Sequence, residues 1–243
     1  MNGTSTPGSY GSGNVFSFTT SRQAELGALM YTRDGRVFRY VKAGLVDLVV
    51  GNVIQAPADV PLNQQMTAVI ASVGARTIQA INGATAITAN QYAGGWAVID
   101  TAPGLGYAYP ISSNTAAAGA ATVTITLQSD ALLQVALTGV SRVSLVANPY
   151  SGVIQAPATT LTGAVVGVAV AAIPASNYGW VQMSGPGAVL ISGAPIVGSA
   201  VVTPAGVAGA VVADGATAAT KVIGSMLVAG VTGKVQGVLL DIQ

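Results

Sequence analysis

Short runs of β-branched and aromatic residues recur along most of the chain, and Gly, Pro, Asn and Ser separate them. Beyond residue 50 the runs return about every 8–12 residues, which is the spacing typical of β-sandwiches and β-barrels. The clearest runs are GWAVID, YAYPIS, ATVTITL, RVSLVAN, VVGVAVAAI, YGWVQM and GAVLIS. The pattern therefore predicts an all-β protein made of two small β-sandwich or β-barrel modules.

Turn residues between successive runs predict three β-hairpins. Asp34-Gly35 is a turn signal in front of the alternating segment RVFRYVK at 36–42. Two later segments, 166–182 and 223–236, each place a turn between two β runs. Because closure of a sheet removes its exposed edges, the two later hairpins predict a small closed barrel of about six strands, starting near residue 163.

One short segment departs from the β pattern. Ser129 can act as the N-cap of a helix, and Gly139 lies just past the point where that helix would end. The sequence therefore predicts one short helix over residues 130–137.

The hexapeptide VIQAPA occurs twice, at 53–58 and at 153–158. A Gly-Trp pair follows each copy, as Gly95-Trp96 and Gly179-Trp180, and these are the only two Trp residues of the chain. The order is consistent with a weak internal duplication, and chance is the alternative because half of the hexapeptide is Ala or Pro. We expect each copy to be a strand that ends at its Pro, in two related β modules.

The chain divides into three regions. Residues 1–20 contain no charge and are rich in Gly, Ser and Thr, so they predict an extended N-terminal arm. An N-terminal β module is predicted over 21–110, and a C-terminal β module over 111–243. Trp96 and Trp180 are the predicted core anchors, because each stands in a Gly-flanked apolar run without charges.

Charged residues make up only 7% of the chain, whereas soluble domains usually carry about 25%. Together with 51% hydrophobic residues, this composition argues against disorder. No apolar run reaches the roughly 20 residues of a spanning helix, and no signal-peptide pattern opens the chain. The sequence therefore predicts a protein without a membrane partner, whose surface is largely covered by copies of itself or by another protein.

The candidate contact residues lie near the N-terminus. Phe16 and Phe18 are apolar anchors in an otherwise polar arm. Arg33, Arg36 and Arg39 alternate with apolar residues, so they can offer charge-assisted hydrogen bonds to acidic groups of a partner. The alternative is a hairpin whose charges only face water.

The residue inventory provides no site for catalysis. The chain has no His and no Cys, which removes the commonest general base, the standard metal ligands and every Ser–His or Cys–His pair. No phosphate-binding or dinucleotide-binding glycine motif is complete. A net charge of +1 gives no electrostatic footprint for nucleic acid. The sequence therefore predicts that the protein is not an enzyme and has no catalytic residue, cofactor, metal or nucleic-acid partner.

Four segments carry a resemblance to a known class of protein. They are DGRVFRYVKAG at 34–44, SRVSLVANPYSGVIQAP at 141–157, VVGVAVAAIPASNYGWVQMSGPGAVLISG at 165–193 and VVTPAGVAGAVV at 201–212. The most specific pieces are YGWVQ at 178–182 and Asn148-Pro149-Tyr150. The segments resemble virion proteins of tailed bacteriophages, and most closely capsid-associated proteins of the decoration or cement type. The likeness covers roughly residues 31–212 and leaves the N-terminal arm unmatched.

The resemblance implies a non-enzymatic structural protein that binds and stabilises the outer surface of a phage capsid. Its implied partners are the major capsid protein and further copies of the chain, with a homotrimer docked through its N-terminal half as the expected form. The implied location is the capsid surface of the virion, after assembly in the host cytoplasm. The alternatives are another virion component, such as a head fibre, tail or host-recognition protein, and an enzyme or cellular binding module.

Overall fold

The computed structural model describes residues 14–215 and 221–242. The helical structure in this part of the chain is a single 3-10 turn at Pro61–Asn63. The prediction of an all-β protein with two β modules is therefore confirmed. In chain order the strands are β1 (Leu29–Tyr31), β2 (Val37–Ala43), β3 (Val53–Gln55), β4 (Met66–Ala68), β5 (Thr77–Ile81), β6 (Trp96–Ile99), β7 (Ala108–Asn114), β8 (Thr122–Leu127), β9 (Arg142–Val146), β10 (Ser151–Gln155), β11 (Val165–Ala169), β12 (Tyr178–Leu190), β13 (Ala200–Thr203), β14 (Val212–Ala213), β15 (Lys221–Met226) and β16 (Val235–Asp241).

The chain folds as two compact units, and the second is inserted into the sequence of the first. The first unit joins the residues up to Ala58 to those from Pro149 onward, and the second comprises Asp59–Asn148. The predicted boundary between residues 110 and 111 falls inside β7, which pairs with β6 on one side and with β8 on the other. The observed division therefore differs from the predicted one, because a cut at that point would open two ladders of backbone hydrogen bonds.

The first unit is built around one ten-stranded sheet. Neighbouring strands follow the order β1-β2-β10-β3-β11-β12-β16-β15-β13-β14. A further antiparallel pairing of β2 with β12 closes β2, β10, β3, β11 and β12 into a ring. The strands after residue 163 do not form a closed barrel of their own, because the ring also needs three strands that precede that residue.

The two VIQAPA copies form adjacent strands of this sheet. In each copy Val-Ile-Gln lies in a strand, β3 or β10, that ends before the Ala-Pro pair, as predicted. The two strands run antiparallel, with Ile54 opposite Gln155 and Gln55 opposite Ile154. The expectation that the copies lie in two related modules is wrong, because both belong to the first unit and pair with each other.

All three predicted hairpins are present, as the antiparallel pairs β1–β2, β11–β12 and β15–β16. The runs YGWVQM and GAVLIS, however, belong largely to one continuous strand of 13 residues, β12. Its first half pairs with β2 and β11, and its second half pairs with β16 from Ser184 to Leu190. Gly185 lies where the halves meet and has a φ of 87°, a left-handed conformation that favours glycine.

The second unit is a closed barrel of six strands in the order β4-β5-β8-β7-β6-β9. All neighbouring strands are antiparallel, and β4 pairs with β9 to complete the ring. Closure leaves no exposed strand edge. The interior is filled by side chains that alternate along the strands, among them Ile78, Ile99, Ile111, Ile125 and Leu145.

Residues 130–137 are not helical, so the predicted helix is wrong. The backbone N–H of Leu133 donates to the carbonyl oxygen of Ala75 at 3.0 Å. The backbone N–H of Leu137 donates to the carbonyl oxygen of Ala71 at 2.9 Å. Both leucine side chains are buried in the barrel core. Tertiary pairing and burial therefore outweigh the weak helix preference of so short a segment.

Tyr92 is an ionisable group buried inside the barrel. Its hydroxyl accepts a hydrogen bond from the side-chain amide of Asn63 at 2.6 Å, and its backbone N–H donates to the side chain of Asn114 at 2.9 Å. Burial raises the pKa of the Tyr92 phenol above its ordinary value of 10.0. Above about pH 10 the unfolded chain therefore releases the Tyr92 proton while the folded chain still keeps it. The free energy of unfolding then falls as the pH rises further.

We expect a fragment of residues 59–148 to fold by itself, because its six strands close without strands from the rest of the chain. Circular dichroism and the dispersion of amide signals in an NMR spectrum measure this. A fragment of residues 21–110 is a control of equal length, and we expect it to stay unfolded because it is cut within β7 and lacks β8 and β9. A disordered 59–148 fragment would contradict the observed division.

Replacing Tyr92 by Phe should lower the free energy of unfolding at neutral pH by about 1–3 kcal/mol, because the buried amide of Asn63 loses its acceptor. The variant should also lose less stability than the wild type between about pH 9 and about pH 11, because the substituted side chain does not titrate. Urea unfolding at neutral pH measures the first effect, and urea unfolding at about pH 9 and about pH 11 measures the second. Tyr107→Phe is the control, since Tyr107 is exposed. If the Tyr92→Phe variant is as stable as the wild type at neutral pH and loses as much stability at high pH, the role of the Tyr92 hydroxyl in the core is refuted.

Candidate binding surface

Residues 14–19, the end of the predicted arm, are packed onto the first unit. Val15 is buried in a small hydrophobic cluster with Met30 of β1 and Phe38 of β2. Its burial shows that the arm joins the sheet through a fixed segment and not through a free linker.

Thr19 strengthens this attachment by pairing with the first residue of β12. It forms two backbone hydrogen bonds of 2.9 Å with Tyr178, one in each direction. The hydroxyl of Tyr40 lies 3.3 Å from the hydroxyl of Thr19 and accepts a hydrogen bond from the backbone N–H of Gln23 at 3.0 Å. Residues 1–13 of the predicted arm lie outside the described residues.

Phe16 and Phe18, the predicted anchors, are on the surface. They are 59% and 45% exposed, whereas the neighbouring arm residue Val15 is buried. The backbone N–H of Phe16 donates to the side chain of Asn14 at 3.0 Å, and the Phe16 ring lies 5.9 Å from the guanidinium of Arg36. The two rings are therefore presented to solvent by a segment whose backbone is already held.

Arg33 and Arg36 lie in the first hairpin, beside the arm. Arg33 is exposed at the turn. Arg36 forms an ion pair with Asp34, with 2.8 Å between Nε and the carboxylate oxygen, and its guanidinium lies 5.3 Å from the centre of the Phe38 ring. The turn that carries Arg33 is thus tied to the strand that follows it.

Asp34 fixes the conformation of this turn. Its carboxylate accepts hydrogen bonds from the hydroxyl of Thr32 and from the backbone N–H and guanidinium of Arg36. The bond from Thr32, and after it the bonds from Arg36, hold the pKa of the Asp34 carboxyl below its ordinary value of 3.8. Asp34 is therefore ionised at neutral pH, when these bonds are strongest.

Arg39 is engaged within the first unit. Its guanidinium lies over the Tyr150 ring, 4.7 Å from the centre, and donates to the carbonyl oxygen of Gly27 at 3.2 Å. A side chain at position 27 would collide with the same ring, since its Cβ would lie 2.5 Å from Tyr150 Cδ2. These contacts make Arg39 a packing residue rather than an exposed contact residue, so its predicted role is not supported.

An open apolar groove lies beside Phe16 in the first unit and has a volume of about 330 Å³. The charged residue in its lining is Arg36. Its apolar lining includes Phe16, Val50, Pro186, Ala188, Leu227 and Gly237. Sequence reasoning missed this groove, although one signal was present. The second half of β12 and most of β16 are apolar at successive positions, which is typical of strands covered on both faces.

The two tryptophans differ in burial. Trp180 is half-buried against the cluster of Val15, Met30 and Phe38, and its ring lies 5.0 Å from that of Tyr40. Trp96 is 38% exposed on the outer side of β6, so the prediction of a core anchor is wrong for this residue. The neighbours Ala97 and Ile99 occupy the inner side, and the run GGWAVID has apolar residues for both sides.

The described residues contain no group of three or more His, Cys, Asp or Glu side chains that could hold a metal ion. Within the same part of the chain, no helix is long and apolar enough to cross a bilayer. Comparisons with models of known protein families, with curated proteins and with solved structures gave no match.

Fluorescence of single-tryptophan variants should separate the two sites. In Trp96→Phe the remaining Trp180 should emit at shorter wavelengths and resist quenching by iodide, because it is packed against Tyr40. In Trp180→Phe the remaining Trp96 should emit at longer wavelengths and be quenched readily. Equal quenching of the two native variants would show that the assigned exposures are wrong.

Proposed function

We propose that this protein is a non-enzymatic structural protein of a tailed-phage virion that binds the outer surface of the capsid, as a decoration or cement protein. The observation that carries the proposal is the arm-base surface, which we define as Phe16, Phe18, Arg33 and Arg36. This surface combines exposed aromatic rings with Arg side chains on a packed backbone. The resemblance of residues 31–212 to decoration proteins supports the same proposal.

The chemistry of the arm-base surface suits a protein partner. Aromatic and Arg side chains supply much of the binding energy at many protein interfaces. Full burial of a Phe side chain stabilises a complex by about 1.5–3 kcal/mol. Arg33 can add charge-assisted hydrogen bonds to acidic groups of the capsid at the edge of the contact.

The attachment of the arm lowers the cost of binding. Ordering a free backbone costs about 1–2 kcal/mol per residue. Residues 14–19 are held by the burial of Val15 and by the backbone pairing of Thr19, so much of this cost is met when the unit folds. More of the interaction energy of Phe16 and Phe18 then remains for affinity.

Multiplicity supports attachment through modest contacts. A capsid presents many copies of its major protein, and a homo-oligomer, with a trimer as the expected form, can engage several of them at once. The effective concentration of the second and third contacts then raises the overall affinity. The proposal therefore includes self-association, assembly in the host cytoplasm and a final location on the capsid surface.

A host-recognition protein is the second candidate. Trp96 stands opposite Pro110 and Val146 on the outer side of the barrel, and an exposed aromatic ring can stack on a sugar. Quenching of Trp96 emission by a host surface polysaccharide, without binding to capsids, would favour this candidate.

Binding to capsids that lack the protein tests the proposal, with co-sedimentation as the measurement. We expect the wild type to bind, and Phe18→Ser and Arg33→Glu each to raise the dissociation constant by roughly tenfold. Thermal unfolding should be unchanged, because both side chains are exposed. Absence of wild-type binding would overturn the proposal.

Matched controls make the same chemical changes at other exposed positions. Leu105→Ser removes an exposed apolar side chain from the second unit, and Lys234→Glu reverses an exposed charge. Both should bind like the wild type. Equal losses in the controls and in the arm-base variants would show that the arm-base surface is not the contact.

A further inference from the structure

The sulfur of Met183 in β12 accepts a hydrogen bond from a charged side chain. The Nε–H of Arg39 donates to Met183 Sδ at 2.9 Å. A thioether sulfur is a weak acceptor, and a methionine more often serves to fill an irregular gap in an apolar core. The contact with Arg39 therefore distinguishes Met183 from a methionine that only fills space.

A β-bulge places the Met183 side chain at this position. The register of β12 against β2 skips one residue between Gln182 and Ser184, so Met183 is the extra residue of the bulge. On the other side of the strand, its carbonyl oxygen accepts a hydrogen bond from the backbone N–H of Ile242 at 3.0 Å. Bulges change the direction of a side chain and are frequent beside functional sites.

Arg39 is held by two further contacts, so its Nε–H has a fixed direction. The guanidinium lies 4.7 Å from the centre of the Tyr150 ring, and its Nη1 donates to the carbonyl oxygen of Gly27 at 3.2 Å. Gly27 is also fixed, because its backbone N–H donates to the carbonyl oxygen of Tyr40 at 2.8 Å. A guanidinium presents its donors in a rigid planar fork. The hydrogen bond therefore reaches the Met183 sulfur from one side.

Met183 is the partly exposed methionine within residues 14–215 and 221–242. Met30, Met66 and Met226 are 4%, 3% and 2% exposed, and each belongs to a hydrophobic cluster. An oxidant must reach the sulfur to react with it, so susceptibility follows exposure. In this part of the chain, Met183 is therefore the methionine that a dissolved peroxide reaches without opening a core.

The hydrogen bond from Arg39 determines where an oxygen atom can be added. A thioether sulfur has two lone pairs, and one of them attacks an oxygen of hydrogen peroxide. The S–O bond forms as the O–O bond breaks, and the other peroxide oxygen leaves as water after it takes up the proton of the transferred oxygen. The thioether is thereby oxidised and the peroxide reduced. Because the Nε–H of Arg39 occupies one lone pair, the oxygen adds at the other.

We propose that Met183 is a site of reversible oxidation by peroxide, and that Arg39 is the positioning residue that makes the product a single sulfoxide epimer. Methionine sulfoxide is reduced by two classes of enzyme, each specific for one epimer. One class alone therefore restores Met183. The inference goes beyond the proposed function and does not rest on it, since neither residue belongs to the arm-base surface.

Hydrogen peroxide treatment of the full-length protein, followed by tryptic digestion and mass spectrometry, tests the selectivity. Arg or Lys residues separate the methionines, so each is found in its own peptide. We expect the Met183 peptide to gain one oxygen at least roughly tenfold faster than the peptides of Met30, Met66 and Met226. Met183→Leu should remove this fast reaction. A Met183 peptide that reacts as slowly as the other three would overturn the inference.

Reduction of the oxidised protein tests the role of Arg39. We expect one class of reductase to remove the oxygen from wild-type Met183, and each class to remove roughly half of it from Arg39→Gln, which lacks the donor. Arg142→Gln is the matched control, since Arg142 is also a partly exposed strand residue whose guanidinium donates to a glycine carbonyl, that of Gly139, at 3.2 Å. It should behave like the wild type. Removal of about half by each class from the wild type would overturn the inference.

An NMR measurement on the wild type keeps the test decisive if Arg39→Gln fails to fold. The Nε–H signal of Arg39 should exchange slowly with solvent, because the proton is held by the sulfur. It should shift when Met183 is oxidised, and it should exchange faster in Met183→Leu, in which the acceptor is absent. A signal that neither oxidation nor Met183→Leu alters would show that Arg39 does not position the sulfur.

Discussion

Backbone pairing along β12 is the constraint on which the first unit depends. This strand bonds to β2, β11 and β16, so it closes the ring and also carries the remaining strands of the sheet. Its first residue, Tyr178, holds Thr19 of the arm, and its second half carries Pro186 and Ala188, which line the apolar groove. Because Gly185 lets one strand serve both halves, the attachment of the arm and the apolar groove are positioned by a single backbone.

Features encoded by neighbouring residues could be predicted from the sequence, and features decided by distant residues could not. Asp34-Gly35 marks its hairpin because turn preferences act locally. The fate of Leu133 and Leu137 depends on Ala71 and Ala75, whose proximity appears only in the closed barrel. The insertion was missed for the same reason, since strands recur at similar spacing in both units and the pairing partners of β3 and β10 lie far apart in sequence.

The candidate surface shows the same contrast between what neighbouring residues encode and what distant residues decide. Phe16 and Phe18 stood out because they are apolar residues in a polar arm, and their exposure agrees with a contact role. Spacing alone groups Arg39 with Arg33, but in the folded chain the Arg39 guanidinium lies against the ring of Tyr150. The apolar groove had a signal in the apolar runs of β12 and β16. That signal is ambiguous, because a run without polar residues does not show which side of the strand faces inward.

The insertion of the second unit between the two VIQAPA strands also shapes the order of folding. β3 cannot pair with β10 until almost one hundred further residues have been synthesised, whereas the barrel strands lie between them and can pair sooner. The barrel joins its first and last strands, with Met66 opposite Val143, so its closure draws together the chain on either side of it. The loop that β3 and β10 must then close is several times shorter, which lowers its entropic cost by about 1 kcal/mol. We therefore expect the inserted barrel to fold first and to bring β3 and β10 close enough to pair.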